Sequence, residues 1–377
     1  MLEYLLHKKF WLPIIILLFF ALLLEILLKF GIWEKLVAPH SFLGNSISRE
    51  KAIKEYGLEK IEWITIGDSK TDWGIDHGLL RSQLADIPVH IRMSFANSDF
   101  LAMQSTIDWS IAHMPNLKGV MIGITERNFG HLDNLNAQFK LSWPFRSHTN
   151  FLDYDNFSSK KKKKLWYKKL AIIIFYQDIK DFLKNSLLRF YQINNFQNNY
   201  YNNILNFSKN LNGTICKYNI DTLFNCIDAS KSIKFKKGKL SVTERYIQKY
   251  CSHERIIKTP NKNNFLVGKM SEKNTIKILK NWKLLINRTL EKHLKIQMII
   301  LPESNFLKYA VNFQNANDTI NQLIKNFENK NDFDYLDLRS IFTKSHGNEC
   351  EYYIEPFHYN NLGKKLITER IINSQKK

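Results

Sequence analysis

This sequence has little of what a metal-binding or nucleic-acid-binding protein needs. Its four cysteines, Cys216, Cys226, Cys251 and Cys350, form no CxxC pair and no His/Cys group with zinc spacing. That excludes a finger or ribbon, and no metal or organic cofactor is implied. There is no helix-turn-helix, RNA-binding signature or internal repeat. Acid is scarce: 35 Asp and Glu stand against 55 Lys and Arg, a formal charge of +20. Such an excess ordinarily points to nucleic acid or an anionic membrane. Here Lys, Asn and Ile are raised together along the chain, in stretches such as "NNFQNNYYNN" and "KNFENKND". The charge therefore reflects overall composition rather than one basic face, and no nucleic-acid partner is expected. The sequons at Asn206, Asn212, Asn287 and Asn317 follow from the same abundance of Asn.

Apolar residues are plentiful. They make up 44% of 377 residues, enough to fill one large domain or two modest ones. Phe10 to Phe30, "FWLPIIILLFFALLLEILLKF", has about the 20 apolar residues that a membrane span needs. Its one acid, Glu25, lies towards the far end, where it can reach the interface or pair with Lys29. Lys8 and Lys9 precede the run, so the positive-inside rule favours a cytoplasmic N-terminus with the remainder on the other side. No small-x-small cleavage site follows, and an uncleaved signal anchor is expected. In an extracytoplasmic compartment two disulfides are feasible. Cys216 and Cys226, ten residues apart, are the first pair to test, with four free thiols as the alternative.

Residues 1–36 thus form a cytoplasmic tip and anchor, and Val37 to Glu59 reads as a connecting segment. Short apolar strands are expected at Glu62–Ile66, Val89–Phe95, Gly119–Ile124, Ile296–Leu301 and Phe333–Leu338. Helical spacing falls between them, at Leu79–Leu84, Phe100–His113 and Asn274–His293, with a closing helix at Leu362–Ser374. Strands alternating with helices imply an α/β fold with a central parallel sheet. The two halves of that core are 37–149 and 265–377. Residues 150–264 break the rhythm and read as a mostly helical insertion or cap. It opens with "SSKKKKKLWYKKLAIIIFYQDIKDFLKNSLLRFY", either a helix packed on the core with a solvated Lys end or, with Trp166 and Tyr167, a segment on an anionic membrane or glycan. Gln177, Asp178, Lys180 and Asp181 argue against a second span.

The chemistry begins at "WITIGDSKTDWGID", Trp63 to Asp76, a strand running into a turn at Gly67-Asp68-Ser69. A serine hydroxyl becomes a nucleophile when a base takes its proton and an acid orients that base. Near the C-terminus stands "YIEPFHYNNLGKKL", with Glu355 three residues before His358. The acid can turn back to the imidazole Nδ1 and leave Nε2 for Ser69. One block follows the first strand and the other the last, so a doubly wound sheet brings both to its carboxyl edge. Asp72 and Asp76 read as capping or hydrogen-bonding residues, and Trp73 as pocket lining or core.

"GDSKTDWGID" and "EPFHYNNLG" resemble the first and last blocks of the SGNH or GDSL hydrolase superfamily, in particular its membrane-anchored members linked to bacterial polysaccharide O-acetylation. The resemblance covers about Ile61 to Phe129 and Ile296 to Ile371. It implies a flavodoxin-like three-layer fold, with Ser69 as nucleophile, His358 as base and Glu355 in place of the usual aspartate. The family's oxyanion hole combines the nucleophile's own amide, a glycine amide and an asparagine side chain. The second block here, "MSFANSDF", has no glycine, so Asn97 or Ser98 would supply that amide. In the third, "VMIGITERNFG", Asn128 is the side-chain donor, with Thr125 as alternative. The implied function is a serine esterase or O-acyltransferase in the cytoplasmic membrane, its main domain extracytoplasmic or periplasmic. It would act on acyl esters of an envelope glycan, beside a multi-pass acyl donor protein. The alternative is a catalytically inactive glycan-binding or scaffold protein of the same fold.

Overall fold

The computed structural model describes residues 8–39, 41–84, 90–96, 98, 100–130, 143–145, 170–189, 191–192, 211–218, 223–251, 272–304, 314–344, 349–355 and 358–376. The chain enters as helix α1, Lys8–Leu27, and continues through a wider turn, Leu28–Ile32, into a short helix at Trp33–Leu36. Among the described residues, Trp11–Leu36 is the one helix long and apolar enough to cross a membrane. Up to Leu27 its apolar side chains stay exposed nearly all round, Leu17 and Phe20 among them, while Leu28, Trp33 and Leu36 are buried against the rest of the chain. Such a surface suits lipid rather than water. The segment expected to be a mere connection holds α2, Phe42–Tyr56. Ser41 caps α2, its Oγ accepting from the Gly44 amide at 3.0 Å, and Gly57 at φ 107° ends it.

All five expected strands form. In the first half, β1 is Trp63–Ile66, β2 His90–Arg92 and β3 Gly119–Ile124, with helices α3 (Ser69–Gly74), α4 (His77–Gln83) and α5 (Phe100–His113) between them. β2 is shorter than expected, and Val89 lies outside the described residues. The described helices of the insertion are α6, Ala171–Ile174; α7, Tyr176–Lys184; α8, Leu223–Lys234; and α9, Val242–Tyr250. Ser241 and Glu244 form a reciprocal capping box at the start of α9. Trp166, Tyr167 and the Lys run before them are outside the described residues.

The second half supplies α10 (Glu272–Leu290), β4 (Lys295–Ile300), α11 (Gln314–Lys325) and β5 (Phe333–Asp337). A small antiparallel hairpin, β6 (Tyr353–Glu355) and β7 (His358–Tyr359), then leads into the closing helix α12, Asn361–Gln375. The sheet order is β2-β1-β3-β4-β5, every neighbour parallel. Every residue of β3 is buried, so both faces of the sheet are covered, as a parallel sheet requires. α5, α10 and α11 form one packed group and α12 packs with α3 and α4 in another. Trp282 anchors the first group, with Phe129 stacked on it at 5.3 Å and Phe100 edge-on at 5.7 Å.

Disulfides form, as expected of an extracytoplasmic chain, but the Cys216–Cys226 pairing is overturned. Cys216 bonds to Cys350, 134 residues away, and Cys251 is also disulfide-bonded. The reason is the path of residues 211–218, which run beside the β6–β7 hairpin. The Ile215 amide donates to Tyr353 O at 3.0 Å and the Asn361 amide to Leu211 O at 3.0 Å. These contacts bring Cys216 to a Cα separation of 4.9 Å from Cys350.

Candidate active site

The Ser69 turn grows out of β1. Gly67 takes φ 155°, and a Cβ there would collide with Thr71. The same threonine presses on Gly123 of β3, so two glycines admit one side chain where the chain turns. Asp68 caps α3, its Oδ1 accepting from the Lys70 amide at 2.9 Å. Ser69 is therefore the first residue of a helix. Among the described residues, no acceptor takes its own N–H.

The β6–β7 hairpin delivers the partners. Glu355 and His358 face each other across it. The imidazole Nδ1–H donates to Glu355 Oε1, and the Ser69 hydroxyl donates to Nε2 at 2.9 Å. Glu355 and His358 are buried, while Ser69 stays half-exposed and reachable. Trp73, left between pocket and core by the sequence, lies against the His358 ring at a centroid distance of 4.1 Å. Asn360 caps α12 through Gly363 N at 3.0 Å and donates its Nδ2 to Gly213 O at 2.9 Å. Chemically, this chain of contacts lets His358 take the serine proton, while Glu355 fixes the tautomer and stabilises the imidazolium.

Of the supporting residues, Asp72 and Asp76 were read from sequence as capping or hydrogen-bonding groups, whereas Arg49, Arg92, Lys70 and Glu303 had no sequence signal of their own. Asp72 is buried and receives Arg49 at 2.9 Å and Ser94 Oγ at 3.2 Å, with Arg92 Nε at 3.4 Å. Burial works against its carboxylate, but the Arg49 and Arg92 guanidiniums and the Arg49 and Ser94 hydrogen bonds outweigh it and hold the pKa below the ordinary value. Asp76 caps α4 through the Leu79 amide at 3.0 Å, as expected. Lys70, next to the serine, forms a fully buried ion pair with Glu303 from the loop after β4. Tyr359 donates its hydroxyl to Pro302 O at 2.6 Å in the same loop. Burial, followed by the negative field of Glu303, Asp68 and Glu126, pushes the Tyr359 hydroxyl well above its usual pKa, so it stays a donor. An Arg or Lys whose partner lies dozens to hundreds of residues away leaves no local pattern.

The oxyanion residues divide. Asn128 follows β3, at the same sheet edge as Ser69. Its Oδ1 accepts from the Thr125 amide at 2.8 Å and the Thr125 hydroxyl at 3.3 Å. Thr125 is thus spent on holding Asn128, whose Nδ2 remains the donating end. Ser98 is buried, but its amide donates to Phe95 O at 3.0 Å. A turn has used that amide, which corrects the expectation that Ser98 offers it to a substrate. Asn97 lies outside the described residues.

Fold and site together define an α/β chain with a Ser–His–Glu hydrogen-bonded constellation at the carboxyl edge of a five-stranded parallel sheet. In comparisons with known proteins, no family model matches this chain and no curated protein matches it significantly.

Proposed function

We propose that this chain is a membrane-anchored serine esterase or O-acyltransferase of the SGNH type. The observation that carries this is the 2.9 Å contact between Ser69 Oγ and an imidazole whose other nitrogen is held by Glu355. In the reaction, His358 takes the hydroxyl proton as Ser69 Oγ attacks an acyl ester. The oxyanion that forms is met by the Ser69 amide and Asn128 Nδ2. Collapse expels the alcohol, which takes its proton back from His358, and leaves an acyl-serine. Water then completes hydrolysis, or a sugar hydroxyl completes transfer.

The strand order is the one flavodoxin-like folds use, and Ser69 follows the strand next to its switch point, which supports the family reading. The apolar helix supports a single span in the cytoplasmic membrane, and the disulfides support an oxidising, extracytoplasmic side. An acyl ester of an envelope glycan is the substrate this location favours, with a multi-pass acyl donor protein as partner. The spent Ser98 amide favours a second reading, a glycan-binding or scaffold protein that keeps the fold without turnover.

Rapid quenching with an aryl acetate, followed by intact mass and peptide mapping, separates the two. An acetyl group on Ser69 is the expected result. Folded protein that never acquires the acyl group contradicts the enzymatic reading. A reporter fused to the C-terminus tests the topology.

A further inference from the structure

Residues 170–189 of the insertion have two apolar faces. The inner one holds Ala171 and Phe175, fully buried, with Ile179 and Phe182 packed on the core. The outer one holds Ile173, Tyr176, Leu183, Leu187 and Leu188, from 44% to 85% exposed. Within α7, Tyr176, Lys180 and Leu183 follow the three-and-four spacing of one helix side, with Ile173 just before that helix and Leu187 and Leu188 just after it. Lys180 and Lys184, also exposed, stand among these apolar residues. No described residue covers the outer face.

The segment begins on the anchor. Glu25 accepts from the Ala171 and Ile172 amides at 2.9 and 3.0 Å, so the start of α6 satisfies the one acid in the apolar run. Phe175 stacks on Trp33 at 5.3 Å. Glu25 lies five residues before Phe30, where the apolar run ends, which is about 7 Å along a helix axis. The first turn of α6 is therefore tied to the far end of the apolar run, the end that the anchor reading puts at the outer interface where amphipathic helices lie.

We infer that residues 170–189 are a second membrane contact, lying in the outer interface of the bilayer that holds α1. The inference rests on the anchor reading given above. Leu183, Leu187 and Leu188 enter the acyl boundary, and Lys180 and Lys184 reach back to anionic head groups. The helix pair α1 and α6–α7 then fixes the tilt of the domain over the membrane, as one span alone would not.

The test places single spin labels in the full chain, in nanodiscs of phosphatidylethanolamine and phosphatidylglycerol, and compares collision with oxygen and with a polar nickel chelate. Leu17→Cys reports the anchor, Asp228→Cys the water phase, and Leu183→Cys and Leu187→Cys the outer face. Labels at 183 and 187 are expected to favour oxygen several-fold, as at 17, while 228 favours nickel. Labels at 183 and 187 that favour nickel while 17 stays in lipid overturn the inference and leave the anchor intact. Shielding from both reagents means that another protein copy covers the face, and also overturns it. A label at 17 that favours nickel removes the anchor reading itself.

Discussion

The turn that carries Ser69 and the hairpin that carries His358 meet at one sheet edge, yet they are braced from different directions. Ser69 is held from inside the core: by a cap from its neighbour Asp68, by the buried Lys70–Glu303 pair, and by Asp72 between Arg49 and Arg92. The His358 hairpin has an inner hold too, Tyr359 on Pro302 O, and in addition is held from outside by residues 211–218 of the insertion and the Cys216–Cys350 bond. The difference teaches that the insertion is part of the site's frame. The core positions Ser69 on its own, whereas added chain helps it to seat His358.

The largest effect expected from breaking either side is at the contact itself. Ser69→Ala should abolish acyl transfer to the protein, and His358→Ala should slow it by at least about a thousandfold. Next comes the inner brace. Lys70→Met strands Glu303 as an unpaired buried carboxylate and should cost about 3–5 kcal/mol in denaturant unfolding, much of it regained when Glu303→Leu is added. A loss under ~1 kcal/mol, the range of a surface pair, would show that the pair braces nothing.

On the outer side, replacing Cys216 and Cys350 together by Ser should cost about 2–5 kcal/mol. Amide exchange should then rise at Tyr353 to Asn361 and stay unchanged in β1. Equal loosening of β1 would erase the distinction between the two braces.

The smallest effect is graded with pH and belongs to the inner side. Burial, followed by the nearby His90, Arg92, Arg49 and Arg81, holds His77 well below its usual pKa. Burial, with Arg81 adding to it, takes His90 to about 3. Both are neutral in the fold and gain a proton more easily when unfolded. Their contribution is therefore complete above about pH 6.5 and is lost progressively as pH falls below it, for His90 until about pH 3. Unfolding midpoints from pH 7 to 5 should fall for the native chain and fall less for His90→Gln.

Much of the fold was legible because its signals are local. β3 and β4 are short buried apolar runs that read as parallel strands, and "GDS" after β1 reads as a turn with a cap. Ser69, His358 and Glu355 were legible because each sits in a compact block. The disulfide was not, since the nearest cysteine in sequence is not the nearest in space. Nor was the helix at Phe42–Tyr56, whose residues 49, 50 and 51 look solvated although Arg49 turns inward to Asp72. The Ser98 amide failed as a donor because a main-chain turn to Phe95 has no side-chain signature. Asn128 was legible as a residue after a strand, while the Thr125 bonds that aim it were not.

The most direct test of an activated Ser69 is intact mass of the full chain, in detergent, after incubation with a fluorophosphonate, beside Ser69→Ala and His358→Ala. A single adduct on the native chain, absent from Ser69→Ala and strongly slowed in His358→Ala, is the predicted result. Folded native protein without an adduct, or an adduct that survives Ser69→Ala, would contradict it.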